Sequence, residues 1–273
     1  MSIDNSFMIK KIETFKSVTV LFSAVTHLPF IVCDEETFDD QIYMFSSNEM
    51  ANEFARPFLL DKNPLQAVQL PQTSLKNFLL SLYGLGVNAV MVQDEGAPVR
   101  MALEQLIDPP EVDKIRNKQM PQYNPQLQLT MLYFAQEVAR PITHTNEDNK
   151  RLQALEEEMA HNLLPAPLIL AFDTTDVKID PKNPADRAIA KAKIQLYKAN
   201  DGKTYRPVYT EFMEFQRFVR QGSRNELALT TLKDVHHFLP QEASGIVINP
   251  AGASLLLTRE RLQKFIEIYS DRF

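Results

Sequence analysis

The sequence predicts an α+β fold built of two tandem duplicated units, each a mixed β-sheet packed with helices. Gly245-Ile-Val-Ile-Asn-Pro-Ala-Gly252, followed by Ala-Ser-Leu-Leu-Leu, reads as strand, tight turn, strand. Val87-Asn-Ala-Val-Met-Val-Gln-Asp-Glu-Gly96, followed by Ala-Pro-Val-Arg-Met, is a degenerate copy. The copy extends upstream. Ile42–Phe54 aligns with Arg206–Phe218, and Leu75-Lys76 with Leu232-Lys233, in the same order before each hairpin. Ordered self-similarity marks a duplication, and 273 residues leave room for two ordinary domains. The units are 1–142 and 143–273, with the boundary in Thr143-His-Thr-Asn146.

In the first unit, residues up to about Val25 are expected as a helix leading into the strand Phe30–Cys33. The acidic loop Asp34–Asp40 and the strand Ile42–Phe45 follow. Ser46 or Ser47 can cap the next helix, because a short hydroxyl side chain satisfies its free N–H groups. Met50 and Phe54 lie on one face of that helix. A strand at Gln66–Leu70 precedes a helix opened by Pro71 and Thr73. Its stripe is Leu75, Phe78, Leu79 and Leu82, and Gly84 and Gly86 end it. The hairpin 88–102 closes the unit. Residues 107–125 are polar and proline-punctuated, a loop. Leu127–Arg140 is an amphipathic helix with Leu129, Leu132, Tyr133 and Gln136 in register, stopped by Pro141.

The second unit opens with the helix Glu147–Leu163, then the strand Leu168–Phe172 and a polar excursion over Asp173–Arg187. Strands Lys193–Tyr197 and Tyr205–Tyr209 flank Asn200-Asp-Gly202, a hairpin signal. Thr210 is expected to cap a helix over 211–221. A strand at Glu226–Leu229, a helix Thr231–Leu239, the hairpin 245–257 and a helix opened by Thr258 complete it.

Composition bounds the function. The net charge is -6 and the pI about 5.5. That balance argues against nucleic acid and anionic membrane, which call for surplus Lys and Arg. The single cysteine, Cys33, excludes an intrachain disulfide and a multi-thiolate zinc site. There are only seven glycines, which weakens any phosphate-cradle reading. The apolar run Val18–Val25 follows Lys10, Lys11 and Lys16 like a signal peptide, but Thr26-His27-Leu28-Pro29 offers no small-residue cleavage site. No apolar run reaches the ~18 residues that span a bilayer. The expected location is cytoplasmic.

In the second unit, Tyr205-Arg-Pro-Val-Tyr-Thr-Glu-Phe, the helix after it, the Gly245–Gly252 stretch and the proline-flanked Leu164-Pro-Ala-Pro-Leu-Ile-Leu resemble the SseB family. These are bacterial proteins named for enhanced serine sensitivity. The resemblance covers most of 150–268. The first unit resembles a divergent copy that lacks the Asn-Pro of the turn. The resemblance implies no catalytic residue and no cofactor.

Five residues are candidates for binding: Asn249, Pro250 and Gly252 in the second hairpin turn, and Gln93 and Asp94 in the first. Asn249-Pro-Ala-Gly252 fits a type I turn with Asn at i, Pro at i+1 and Gly at i+3. Turn chemistry alone explains every residue, with Asn249 accepting local backbone hydrogen bonds and Gly252 resisting substitution if its φ is positive. The competing reading makes the loop a recognition edge. Cys33 as a nucleophile or sulfur carrier requires surroundings that lower its pKa. Asp34, Glu35 and Glu36 favour the protonated thiol, so a half-buried strand cysteine is expected.

His27, His144, His161, His236 and His237 show no ligand spacing, and neighbouring residues on a helix diverge by about 100°. The acidic loops, Asp34–Asp40 and Asp173, Asp176 and Asp180, lack EF-hand spacing. Tyr43, Phe45, Tyr205 and Tyr209 lie on corresponding strands and read as core. No GxSxG, P-loop or GxGxxG occurs. No catalytic residue, metal or cofactor is therefore expected. The reading is a non-enzymatic protein-interaction or regulatory module with an unknown protein partner, without nucleic acid or membrane. One alternative is an enzyme or sulfur-transfer accessory using Cys33. Another is small-ligand binding at the junction of the two units. Oligomeric state has no sequence signal.

Overall fold

The computed structural model describes residues 5–109, 123–178 and 191–270. They form two compact units, one of 5–109 with 128–155, the other of 123–127 with 156–178 and 191–270. The first contains α1 (Ser6–Thr14), β1 (Ser17–Ser23), β2 (Val32–Cys33), β3 (Asp40–Phe45), α2 (Asn48–Leu60), β4 (Leu65–Pro71), α3 (Gln72–Gly84), β5 (Ala89–Gln93), β6 (Val99–Ala102) and α4 (Leu103–Leu106). Its strands lie in the order β4-β1-β3-β5-β6, with β2 paired to β3. Only β3 and β5 run parallel. Helices α5 (Pro125–Val138) and α6 (Asn146–Leu163) follow.

The second unit contains β7 (Leu168–Asp173), β8 (Tyr197–Lys198), β9 (Thr204–Val208), α7 (Phe212–Phe218), β10 (Asn225–Thr230), a 3-10 turn (Val235–Phe238), β11 (Gly245–Ile248), β12 (Leu255–Thr258) and α8 (Arg259–Tyr269). β10 pairs with β7, and β12-β11-β9-β8 form a ladder in which β9 and β11 are parallel. Ile169 and Tyr209 exchange both backbone hydrogen bonds, at 2.7 and 3.0 Å, and join β7 to β9. The resulting order, β10-β7-β9-β11-β12 with β8 against β9, is that of the first unit. Registers agree too. Ile42 faces Val90 as Arg206 faces Ile246, and Ala89 faces Ala102 as Gly245 faces Thr258.

Local chemistry accounts for several helix ends. The Ser47 hydroxyl accepts from the Met50 N–H at 3.3 Å at the start of α2, and Thr258 accepts from Arg261 at 3.2 Å at the start of α8. Gly86, at φ 80°, follows the end of α3. Tyr43, Met50, Phe54 and Phe58 pack around buried Leu21, Phe45, Ala51 and Ala55. Ile169, Tyr209 and Phe215 form the matching cluster of the second unit. Gln136 is one of the in-register residues of α5. Its amide accepts from the Ile31 N–H at 3.1 Å and donates to the Ile31 carbonyl at 2.9 Å, continuing the edge of the sheet with a side chain.

Four expectations are corrected. The first helix stops at Thr14, and Ser17–Ser23 is a strand paired on both sides. Its β-branched Val18, Thr19 and Val20, all buried, suit a strand covered on both faces. The helix over 211–221 shrinks to Phe212–Phe218, with Glu211 rather than Thr210 at its N-cap. The Thr210 hydroxyl instead accepts from Asn249. The helix Thr231–Leu239 is only a 3-10 turn. Thr231 donates to the Asp234 carboxylate at 2.7 Å and accepts from the Asp234 N–H at 3.3 Å, a capping pair at the start of the turn. The strand at Lys193–Tyr197 is reduced to Tyr197–Lys198, with Lys193 bridging Asp173. Most of the expected loop 107–125 and of the excursion 173–187, including Asp180, lies outside the described residues.

Candidate functional site

The Asn249–Gly252 turn closes its hairpin through a Gly252 N–H bond to the Asn249 carbonyl at 2.9 Å. Asn249 is fully buried and left-handed, at φ 51°, a conformation that Asn tolerates better than other side chains. Its side-chain hydrogen bonds are not local. Oδ1 accepts from the Thr210 N–H at 3.0 Å, and Nδ2 donates to the Thr210 hydroxyl at 2.8 Å. The side chain thus ties the end of β9 to the end of β11.

Gly252 is buried, and its φ is not positive. A Cβ there would stand 2.5 Å from Glu214 Oε2, so a larger residue requires that buried carboxyl to shift. Pro250 is half-buried. In the first unit Gln93 donates to the Gly96 carbonyl at 3.2 Å. Asp94 is buried and ion-paired with Lys11, which holds its carboxyl below the usual range.

Two buried charges escaped the sequence reading. Glu214 on α7 is 1% exposed; Oε1 pairs with Arg217, while Oε2 has no hydrogen-bond partner among the described residues. Burial pushes its pKa up despite Arg217. Arg206 on β9 is also 1% exposed. One guanidinium nitrogen donates to the Phe238 carbonyl, and the Phe172 ring lies 4.8 Å away. Its Nε and second terminal nitrogen have no partner among the described residues. Burial pushes it down to about 10. Burial also raises the Tyr209 phenol on the same strand. A signal for Arg206 lay in the alignment of Ile42–Phe54 with Arg206–Phe218, which sets Arg206 opposite Ile42, a core position.

Cys33 is exposed, not half-buried, because β2 is a two-residue strand and Cys33 is its last residue; Sγ lies 3.8 Å from the Asp34 carbonyl. The His236 and His237 rings do not diverge. In the 3-10 turn their centroids are 3.8 Å apart. Among the described residues no group of three His, Cys, Asp or Glu is placed to hold a metal ion. Nor is any helix among them long and apolar enough to cross a membrane.

A concave feature of mixed lining is a groove of the second unit, about 500 Å³, between residues 233–239 and the Arg259–Glu267 stretch of α8. Leu239, Leu262 and Ile266 supply apolar surface; Lys233, His236 and Arg259 are basic, and Gln263 and Glu267 complete the rim. Arg259 is fixed by donating to the Ala243 and Pro240 carbonyls at 3.0 and 2.6 Å. His236 Nδ1 is 2.8 Å from the Lys233 carbonyl. The carbonyls of 238, 240 and 243 are thereby held by two arginines, Arg206 and Arg259.

No family model matches the chain, and no curated protein matches it. Among solved structures it is similar to Anabaena Tic22 (protein transport), at 9% identity over 88% of this chain and 91% of that one, with a TM-score of 0.22. Tic22 from Plasmodium falciparum gives 10% identity, coverage of 97% and 98%, and a TM-score of 0.20. Likeness at this level assigns no activity.

Proposed function

We propose that the chain is a non-enzymatic cytoplasmic binding protein, an interaction module built on a duplicated SseB-like unit. Its recognition surface is the groove between residues 233–239 and α8. The shared strand order and register support the duplication. The groove itself carries the functional reading, because it joins an apolar floor to fixed polar groups, the usual composition of a binding site. The hairpin turns serve the fold instead, with buried Asn249 and Asp94 committed to Thr210 and Lys11. A photo-reactive residue at Gln263, in the groove, and another at Glu53, exposed on α2, test this in the native host. A distinct adduct at Gln263, absent at Glu53, is expected. No adduct, or the same set at both positions, overturns the reading.

A further inference from the structure

We propose that the groove of the second unit is a binding site for an aliphatic monocarboxylate. This rests on the groove being the recognition surface, and it adds the chemistry of the occupant.

Size favours a small ligand. About 500 Å³ falls within the range of small-molecule sites. The α8 wall runs from Arg259 to Glu267, but only Leu262 and Ile266 on it are apolar. A docked amphipathic helix lays apolar anchors over about two turns, from i to i+7, more than this wall offers. Leu239, Leu262 and Ile266 offer apolar surface to a methylene chain.

Charge selects the head group. The chain carries -6, yet the groove holds Lys233 and Arg259 against a single acid, Glu267. Glu267 already accepts from Gln263 at 2.8 Å. Arg259 commits two of its nitrogens to carbonyls, so exposed Lys233 is the cation available to a carboxylate. A further cation stands behind the wall. Arg206 bonds the carbonyl of Phe238, which lies between the lining residues His236 and Leu239 in sequence. Arg206 makes no ion pair among the described residues, and a buried uncompensated charge adds a positive field. A carboxylate is favoured there over a neutral or cationic head.

The test titrates the full chain with dodecanoate, dodecanol and dodecyltrimethylammonium below their micelle points, by calorimetry and hydrogen exchange. Dodecanoate should bind about ten-fold tighter than dodecanol, and the ammonium weakest. Exchange should slow in 235–243 and 259–267. Lys233→Glu, a surface change, should weaken dodecanoate about ten-fold and leave dodecanol within about two-fold. If all three chains bind alike, the carboxylate inference falls and the groove reading stands. Protection by an acidic Leu-rich peptide, without binding of dodecanoate, makes the occupant a protein segment and also sinks the inference. If neither chains nor peptide bind, or protection appears elsewhere, both readings fall.

Discussion

Replacing Arg206 with methionine should stabilise the protein. The guanidinium is buried, with two nitrogens unbonded among the described residues, and one carbonyl bond and the Phe172 ring offset its desolvation only in part. A pKa pushed from 12.5 to about 10 disfavours the charged form by roughly 3 kcal/mol. Methionine follows the path of the arginine stem and keeps apolar contact with Phe172. Swaps of buried ionic groups for apolar ones of similar volume commonly gain about 1–4 kcal/mol, so a gain of about 1–3 is expected. Urea unfolding at pH 7 measures it, with the slope checked for constancy. The sign with pH also follows. The folded-state pKa lies below the unfolded one, so the deficit is complete below about 10 and fades as pH rises above it. The gap between variant and wild type should therefore narrow in that window. A variant less stable than wild type by more than about 1 kcal/mol would refute the reasoning, because the charge would then be well compensated.

Glu214→Gln should raise stability at pH 7 by about 1 kcal/mol. Burial raises the Glu214 pKa, so its folded form holds a proton that the unfolded chain loses above its ordinary 4.5, and stability falls as pH climbs from there. The variant should lack that fall in a pH series of melting curves. Gly252→Ala should cost about 1–3 kcal/mol by driving a Cβ onto Glu214, and adding Glu214→Ser should recover most of it; an additive double mutant refutes the contact. Asn249→Ala should cost about 2–4 kcal/mol, through two lost bonds to Thr210 and a left-handed backbone, and unchanged urea midpoints would count against the clasp. Cys33 should label fully with a thiol reagent in the folded state, and Cys33→Ser should shift stability by no more than about 0.5 kcal/mol.

Local signals proved legible. Turn glycines, hydroxyl caps and apolar stripes placed α2, α3, α8 and both hairpins, since each depends on residues within one or two turns of one another. The alignment of Ile42–Phe54 with Arg206–Phe218 matched Ile42 with Arg206, and the strand registers carry the same pairing. Illegible were features in which distant residues meet. The apolar run 18–22 has no period to separate strand from helix, and only its pairing with β3 and β4 decides. Asn249 read as a local turn residue, whereas its partner lies 39 positions away. Gly252 is glycine because of Glu214, a helix residue that no turn rule mentions. The groove joins residues 233–239 to 259–267, two segments whose approach follows from the intervening hairpin.

The two units diverge at two buried positions and in the helix after the hairpin. Counted from the N-caps Ser47 and Glu211, Met50 and Glu214 occupy the same helix position, and by strand register Ile42 corresponds to Arg206. The first unit thus keeps apolar residues at two positions where the second buries a charge, and each such charge is expected to lower stability. Breaches of local rules that cost stability concentrate at working sites. The helices after the hairpins differ in the same sense. Both begin at the residue facing the first strand's start, Ala102 in one unit and Thr258 in the other. In the first unit that helix ends after four residues, at Leu106; in the second it continues for eleven, to Tyr269. Leu262, Gln263, Ile266 and Glu267 lie in that extension, so a short helix like α4 has no residues to supply this wall. A longer helix and a buried arginine thus distinguish the unit that carries the groove from the other.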